Sequence, residues 1–153
     1  MKAITIGSTG AVGRDLLTVL ASDPDFERVD VLVRRLPQLP SEHAEKFHVH
    51  IIDFEHPETW KSLVTGDVLF SSLGTSKKQA GGKQPQWRVD HDYQLAAAKA
   101  ARENGVPKMV VISSLGADPA SSFFYLQMKG KIEKDLEALH FPELTILRPP
   151  SLI

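Results

Sequence analysis

The sequence contains no cysteine, which excludes disulfide bonds and catalysis by a thiol. It also has almost no net charge, since 18 Lys and Arg residues offset 19 Asp and Glu residues. A concentrated basic surface, which nucleic acids and anionic membranes usually require, is therefore not expected. No apolar run reaches the length of a transmembrane helix. Small molecules are the predicted partners, whereas nucleic acid and membrane are not.

A secretory signal is also missing, because Met1 leads into a strand-like segment without a charged region and a longer apolar region. A cytoplasmic location is the resulting expectation. The chain has 153 residues, of which 42% are hydrophobic and 24% are charged. These values fit one globular domain with a continuous core.

Short aliphatic and β-branched runs predict six strands of a parallel sheet that is buried on both faces. The strands are expected at residues 2–7, 29–33, 49–52, 68–72, 108–113 and 144–147. Helices are predicted at residues 11–22, 89–104 and 123–139, with weaker candidates at 41–46 and 57–64. Residues 75–86 are poor in apolar side chains and are predicted to form an exposed, mobile loop.

Strands that alternate with helices predict an α/β fold with a doubly wound parallel sheet, the three-layer α/β/α Rossmann fold. In such a fold the ligand binds at the carboxyl ends of the strands, where the winding of the sheet reverses. The motifs described next all fall at predicted strand ends.

Three glycines, Gly7, Gly10 and Gly13, follow the first strand with the spacing G-x-x-G-x-x-G. Glycines permit a tight turn and a close backbone approach, and the helix that follows offers N–H groups and a positive dipole end to a pyrophosphate. A glycine pattern by itself also fits a structural turn. Its position between the first strand and the first helix favours a dinucleotide site.

The second and third strands end in residues that suit the adenosine end of a dinucleotide. Arg34 and Arg35 stand where NAD-selective proteins often carry an acid, and a guanidinium pairs well with a ribose 2'-phosphate. NADP(H) is therefore predicted over NAD(H), with two solvated arginines as the alternative. Asp53 is expected to accept a hydrogen bond from the adenine amino group while Phe54 packs beside the ring. A local turn cap is the alternative for Asp53.

The fourth and fifth strands end in small residues. A bare backbone at Leu73 and Gly74 would let the cofactor ribose lie across it, although a plain transition from strand to loop fits equally well. Ser113 and Ser114 follow the fifth strand, and either hydroxyl is a candidate to bond a substrate carbonyl.

Tyr125 and Lys129 are four residues apart on a predicted helix, so their side chains share one face. A nearby ammonium favours the ionised form of a phenol that gives or takes a proton near neutral pH. Without the upstream glycine loop, a packed aromatic and a solvated lysine would explain the pair. With that loop, a proton-transfer pair is the better interpretation.

The histidines were considered as metal ligands. His48 and His50 alternate on a strand, but no third ligand has a convincing spacing, so no metal site is predicted. Asp90, His91 and Asp92 are interpreted as caps at a helix start.

Together these motifs resemble the short-chain dehydrogenase/reductase superfamily in its atypical NAD(P)H-binding branch. The resemblance extends over nearly the whole chain, and the Tyr-x-x-x-Lys pattern is its most specific element. More narrowly, the chain looks like the group of the Tat-interacting oxidoreductase-like protein and its bacterial relatives. The segments that carry this narrower resemblance are residues 31–35, 52–55, 89–93, 113–118 and 125–130.

The resemblance implies a role for each matched residue. The pyrophosphate would be held by Gly7, Thr9, Gly10, Ala11 and Val12, the 2'-phosphate by Arg34 and Arg35, and the ribose region by Leu73 and Gly74. Tyr125 would be the acid/base, Lys129 would bond the nicotinamide ribose, Ser114 or Ser113 would orient the carbonyl, and Leu152 would lie near the nicotinamide. Two residues depart from the pattern of the relatives. Thr9 stands where they carry a serine in the loop, and Asp90 stands where they often carry an asparagine. Cofactor binding is still expected, but a full proton relay is not implied.

The end of the chain is a further departure, because relatives continue beyond the sixth strand with a segment that shapes the substrate pocket. Residues 1–153 are accordingly interpreted as an NAD(P)-binding domain that lacks this segment. A sixth strand without its neighbour exposes an apolar edge, which predicts association with a second copy or with another protein.

The leading functional hypothesis is an NADP(H)-dependent oxidoreductase that acts on an unknown carbonyl or alcohol substrate. A non-catalytic NADP(H)-binding regulatory or redox-sensing protein is the first alternative. The second is an enzyme like the nucleotide-sugar epimerases, although these need a larger substrate lobe than this length provides.

Overall fold

The computed structural model describes residues 1–150. Six strands form one sheet in which every pairing is parallel, as predicted. The strands are β1 (Lys2–Ile6), β2 (Arg28–Val33), β3 (Phe47–Ile51), β4 (Val68–Ser71), β5 (Lys108–Ile112) and β6 (Glu143–Leu147). Their order is β3-β2-β1-β4-β5-β6. The winding therefore reverses between β1 and β4, the place where doubly wound folds bind ligands.

Within residues 1–150, five α-helices lie between the strands, and the three longer ones cover the two faces of the sheet. They are α1 (Ala11–Ser22), α2 (Lys77–Ala80), α3 (Lys83–Trp87), α4 (Gln94–Glu103) and α5 (Phe124–Glu137). Helix α1 buries Leu17 and Leu20 in the core on one face of the sheet, whereas Ile132 of α5 is buried with Ile4 and Ile6 on the other. Each fully buried aliphatic side chain stabilises the fold by about 1.5–3 kcal/mol. The α/β/α architecture expected from the sequence is confirmed.

The connecting segments differ from the prediction. Residues 41–46 and 57–64 contain only short 3-10 turns, at Ala44–Lys46, Pro57–Thr59 and Lys61–Leu63. Residues 75–86, predicted to be a loop, instead carry α2 and most of α3. The hydroxyl of Ser76 caps α2 by accepting a hydrogen bond from the backbone N–H of Gln79 at 3.0 Å. Capping of this kind stabilises a helix that has few apolar residues.

The long helix predicted from residue 89 is interrupted. A π-helical segment, Arg88–Tyr93, precedes α4. Such segments are rare and often mark functional sites. Asp90 and His91 of this segment are buried, so the interruption directs two polar side chains into the protein.

Asp30 is the centre of a charge network at the amino-terminal side of the sheet. Its buried carboxylate accepts hydrogen bonds from Arg28 at 3.0 Å and from His50 at 2.7 Å, and lies 3.3 Å from Lys2. Burial works against ionisation of Asp30, but the bonds from Arg28 and His50 and the charge of Lys2 outweigh it and hold its pKa below the usual value. The ring of His50, which was considered above as a metal ligand, is thus engaged in a hydrogen bond to the Asp30 carboxylate.

Replacing Asp30 by Asn is expected to lower the free energy of unfolding at neutral pH by about 2–3 kcal/mol, because hydrogen bonds to a charged acceptor are lost. The lowered pKa means that this stabilisation is present above the unfolded-state pKa and disappears as the pH falls through the folded-state pKa. Urea unfolding of both proteins at several pH values measures the difference.

The matched control is Asp15→Asn, because Asp15 is exposed on α1. It should change the stability by less than about 0.5 kcal/mol. A stability difference between wild type and Asp30→Asn that stays constant down to strongly acidic pH would contradict the ionic explanation.

Within residues 1–150, no helix combines the length and the hydrophobicity needed to cross a bilayer.

Strand β6 pairs with β5 along one side, and Leu147 near its end is 46% exposed. Association through this edge stays a prediction.

Candidate nucleotide-binding and active site

Two adjoining cavities lie at the carboxyl ends of the strands, around the reversal between β1 and β4. The larger has a volume of about 600 Å³ and the smaller about 180 Å³. Gly10, Leu73, Gly74 and Thr75 line both cavities. A long ligand with two chemically different ends therefore has a continuous path from one to the other.

The glycine turn between β1 and α1 is shaped by close backbone packing. Gly7 has φ +88°, and a Cβ atom on it would lie 2.4 Å from the backbone nitrogen of Leu73. A Cβ on Gly13 would lie 2.1 Å from the carbonyl oxygen of Gly7. At Gly10 the same oxygen is 3.6 Å away, so a side chain would fit. Gly7 and Gly13 are thus required by the turn, whereas Gly10 leaves its outer face open to a ligand.

Helix α1 begins at this turn without any side-chain cap. Its N-cap residue is Gly10, and Ala11 and Val12 of its first turn line the larger cavity. The first N–H groups of a helix lack partners within the helix and carry its positive dipole end. This end suits a diphosphate, as predicted from the glycine spacing.

The smaller cavity contains most of the residues assigned to the adenosine end. Thr9, Arg34 and Arg35 are exposed and line it. Phe54 also lines it, but its ring is buried and stacked on Tyr93 with the centroids 5.3 Å apart. The cavity therefore offers two cationic side chains beside the glycine turn, which suits an additional phosphate.

Asp53 is not part of the lining of either cavity. Its carboxylate accepts a hydrogen bond from the backbone N–H of Glu55 at 2.9 Å. This geometry matches the turn cap considered as the alternative.

Tyr125 and Lys129 lie in the larger cavity, one turn apart on α5. Tyr125 is 43% exposed, whereas Lys129 is only 4% exposed. The ammonium nitrogen of Lys129 lies 5.5 Å from the centroid of the Tyr125 ring, within the range of a cation–π contact. The pair therefore combines a phenol accessible to a ligand with a buried cation beside it.

The two candidate serines differ in their partners. Ser113 donates its hydroxyl proton to Glu133 at 2.5 Å, and Glu133 is held by Arg148 at 3.1 Å. Among the described residues, the hydroxyl of Ser114 has one partner, the carbonyl of Leu115, at a long distance of 3.3 Å. Both serines line the cavity, but Ser114 is better able to donate to a ligand.

Asp90 lies in the site, although its position in the sequence was interpreted as a helix cap and only the resemblance connected it with a proton relay. Its side chain is 1% exposed and lies 3.3 Å from the ammonium of Lys129. It also accepts a hydrogen bond from the backbone N–H of Thr75 at 2.8 Å. Burial raises the pKa of Asp90, and the charge of Lys129 and the Thr75 bond offset part of this rise. Asp90 thus connects the end of β4 to α5.

His91 and Asp92 do not cap a helix either. The ring of His91 bonds Asp92 through Nδ1 and Asp135 of α5 through Nε2, both at 2.7 Å. His91 therefore fastens the π-helical segment to the helix that carries Tyr125. Among residues 1–150, no cluster of three or more His, Cys, Asp or Glu side chains is arranged to hold a metal ion.

The structure thus brings most of the predicted residues together around one cleft, and Leu152 lies outside the described residues. Besides Asp90, the lining includes residues that no motif indicated. These are Thr75, Ser76, Gln79, Ile112, Leu115, Leu126, Pro149 and Pro150. Ile112 and Leu115 flank the serines at the end of β5, so their position at a strand end was an available signal. Thr75, Ser76 and Gln79 belong to residues 75–86, which were predicted to form an exposed, mobile loop.

Comparison with known proteins supports the dinucleotide interpretation of the cleft. A family model described as NAD(P)H-binding matches residues 7–153. The protein FMP52, mitochondrial, of Saccharomyces cerevisiae is 38% identical over 157 residues, covering 100% of this chain and 66% of the relative. Its counterpart in Eremothecium gossypii is 41% identical, covering 100% and 67%. The chain thus spans about two thirds of the length of these curated relatives.

Solved structures share the fold at low sequence identity. UDP-glucose 4-epimerase from Thermotoga maritima superposes with a TM-score of 0.76 at 16% identity, over 97% of this chain and 55% of the epimerase. UDP-glucuronic acid 4-epimerase from Bacillus cereus, solved with NAD, also has a TM-score of 0.76, at 18% identity over 99% and 57%. At these identities the likeness concerns the fold alone.

Two expectations are corrected by the relatives. Their names place them in mitochondria, so the expectation of a cytoplasmic location is wrong; a Rossmann core folds in any aqueous compartment, and its composition carries no address. The relatives are also called FMP52 rather than the Tat-interacting oxidoreductase-like protein. The glycine turn, the cleft and the matched family model lead to one conclusion: this chain belongs to the NAD(P)H-binding protein family.

Proposed function

We propose that the protein is an NADP(H)-dependent oxidoreductase of the short-chain dehydrogenase/reductase type that acts on a carbonyl or alcohol substrate. One observation carries this proposal. Tyr125, Lys129 and Ser114 line a single cavity whose lining also includes Ala11 and Val12 at the start of α1. A proton donor, a cation and a hydroxyl thus share one cavity with the helix end that suits a dinucleotide diphosphate.

The residues of the cleft fit NADP(H). The open N–H groups at the start of α1 suit the diphosphate, and the packed glycine turn lets the cofactor approach the backbone closely. Arg34 and Arg35, which line the smaller cavity, suit the 2'-phosphate. When bound, the reduced nicotinamide supplies a hydride to the substrate.

The chain itself supplies the proton and the orientation. Tyr125 gives its phenolic proton to the carbonyl oxygen, and the nearby ammonium of Lys129 stabilises the negative charge that this transfer leaves on the phenolate. Ser114 donates a hydrogen bond to the same oxygen. Asp90 and Lys129 form a buried ion pair, so Asp90 holds the ammonium at a defined position on the cavity wall.

The choice between NADP(H) and NAD(H) is tested at the two arginines. Replacing both Arg34 and Arg35 by Ala is expected to weaken NADPH binding by about tenfold to a hundredfold, the loss of one or two charge-assisted hydrogen bonds. NADH binding should change little, because NADH has no 2'-phosphate. Calorimetric titration of the double variant and of wild type with each cofactor gives the affinities.

Arg102→Ala is the matched control. Arg102 donates to the backbone carbonyl of Leu139 at 3.1 Å and lines neither cavity, so its replacement should leave both affinities unchanged. A wild-type protein that binds NADH more tightly than NADPH would contradict the assignment of the arginines.

A non-catalytic NADP(H)-binding regulator is a second candidate, and the two contacts of Lys129 favour it. Lys129 is bonded to Asp90 and lies over the face of the Tyr125 ring, which is also a good purely structural arrangement. Removing the phenolic hydroxyl separates the two candidates, because only an enzyme loses turnover. An enzyme like the nucleotide-sugar epimerases would need positive charge for a second diphosphate in the larger cavity.

A further inference from the structure

The larger cavity has an unusual charge balance. Among the described residues that line it, Asp90 and Lys129 carry the only formal charges. Their side chains lie 3.3 Å apart and are 1% and 5% exposed. Each charge therefore already has its partner, and neither is free to pair with a charge on a ligand.

The cation that adjoins the lining prolines in the sequence is also occupied. Arg148 precedes Pro149 and Pro150, which line the cavity, but its guanidinium is bonded to the buried carboxylate of Glu133 at 3.1 Å and 3.2 Å. A carboxylate or phosphate on a substrate would lose its water in this cavity without gaining a cation. Desolvation of an unpaired ion is strongly unfavourable.

The rest of the wall is apolar or neutral. The same cavity as Tyr125 is lined by Ile112, Leu115, Leu126, Pro149 and Pro150. Leu115 is 64% exposed although it lies at the cavity, so a ligand that covered it would bury apolar surface and gain about 25 cal/mol per Å².

We propose that this cavity selects uncharged carbonyl compounds with an apolar body, such as aliphatic aldehydes or ketones, and rejects carboxylated or phosphorylated ones. This inference rests on the proposed oxidoreductase function. In the reaction the carbonyl carbon gains a hydride from NADPH and the oxygen gains the proton of Tyr125, which yields an alcohol and NADP⁺. The tyrosinate regains its proton from water.

The test compares octanal with suberic semialdehyde, which has the same length and aldehyde group but carries a carboxylate at its far end. Calorimetry with the protein and NADP⁺ gives the affinities, and NADPH consumption gives the turnover. Octanal is expected to bind at least about tenfold more tightly and to be the better substrate. Equal binding, tighter binding of suberic semialdehyde or no binding of either aldehyde would overturn the proposal.

A charge-introducing variant sharpens the test. Leu115→Lys should strengthen binding of suberic semialdehyde and weaken binding of octanal, with NADPH affinity unchanged. Val19→Lys is the control, since Val19 is similarly exposed at 59% but lies on α1 away from both cavities, and it should leave the preference as it is. An unchanged preference in Leu115→Lys would contradict the role of this wall.

The binding measurement tests the substrate preference, and the turnover measurement tests the oxidoreductase function. If octanal binds as expected but neither aldehyde is turned over while NADPH binds, the substrate preference holds and the oxidoreductase function is wrong.

Discussion

Replacing Tyr125 by Phe is expected to lower kcat by about a hundredfold to ten-thousandfold, the usual contribution of a positioned proton donor. The ring that lies under Lys129 remains, so the cation–π contact and the packing of α5 should persist. Affinity for NADPH and the free energy of unfolding should therefore stay close to those of wild type. Steady-state turnover, cofactor titration and urea unfolding of the same preparation measure the three quantities.

Tyr93→Phe is the matched control, because Tyr93 is the only other tyrosine in the chain. Its hydroxyl donates to Glu55. Burial, followed by the hydrogen bond to Glu55, raises the pKa of Tyr93 to about 12, so it is a poor proton donor near neutral pH. Its replacement should leave kcat unchanged. Undiminished turnover by Tyr125→Phe would exclude Tyr125 as the proton donor, and an absence of turnover in wild type would favour the regulator.

The second large effect is expected at the glycine turn. A methyl group on Gly13 would lie 2.1 Å from the carbonyl oxygen of Gly7, and backbone atoms cannot move away as a flexible side chain does. Gly13→Ala should lower the free energy of unfolding by about 3 kcal/mol, the upper part of the range for overpacked sites. It should also displace the start of α1 and thereby abolish NADPH binding.

Gly10→Ala separates the stability of the turn from its function. The nearest atom to a Cβ there is 3.6 Å away, and the backbone at Gly10 has φ −79° and ψ 171°, which alanine adopts freely. Its stability should stay within about 0.5 kcal/mol of wild type, while the added methyl group should weaken NADPH binding because Gly10 lines both cavities. Thermal unfolding and cofactor titration distinguish these outcomes. Equal stability losses in both variants would contradict this division of roles.

Much of the fold was readable in the sequence because its signals are local. A strand that is covered on both faces has to be mostly apolar, and β1 and residues 29–33 of β2 are recognisable on that basis. Gly105 directly follows the helix predicted to end at residue 104 and has φ +82° in the structure, a conformation that ends a helix and that glycine adopts without strain. The Tyr125 and Lys129 pair follows from helical spacing in the same way.

The errors arise where distant groups decide the local structure. The sequence around Asp90 favours a helix start, because nothing nearby indicates that Lys129, 39 positions later, lies 3.3 Å from its carboxylate. The two partners belong to different helices, and only their packing brings them together. Ser113 and Ser114 were equivalent in the sequence for a similar reason, since Glu133 of α5 occupies one hydroxyl and leaves the other available.

By itself the sequence determined the strand and helix order, the glycine turn for a dinucleotide and the spacing of the phenol and the amine, since each depends on residues close together in the chain. Tertiary structure alone decided which side chains come together in the cleft. It buried the Asp90 and Lys129 pair, left the Ser114 hydroxyl without a carboxylate partner among the described residues, and lined the cavity of Tyr125 with apolar side chains. The physical reason is that burial and ion pairing depend on contacts between distant segments, which no local pattern encodes.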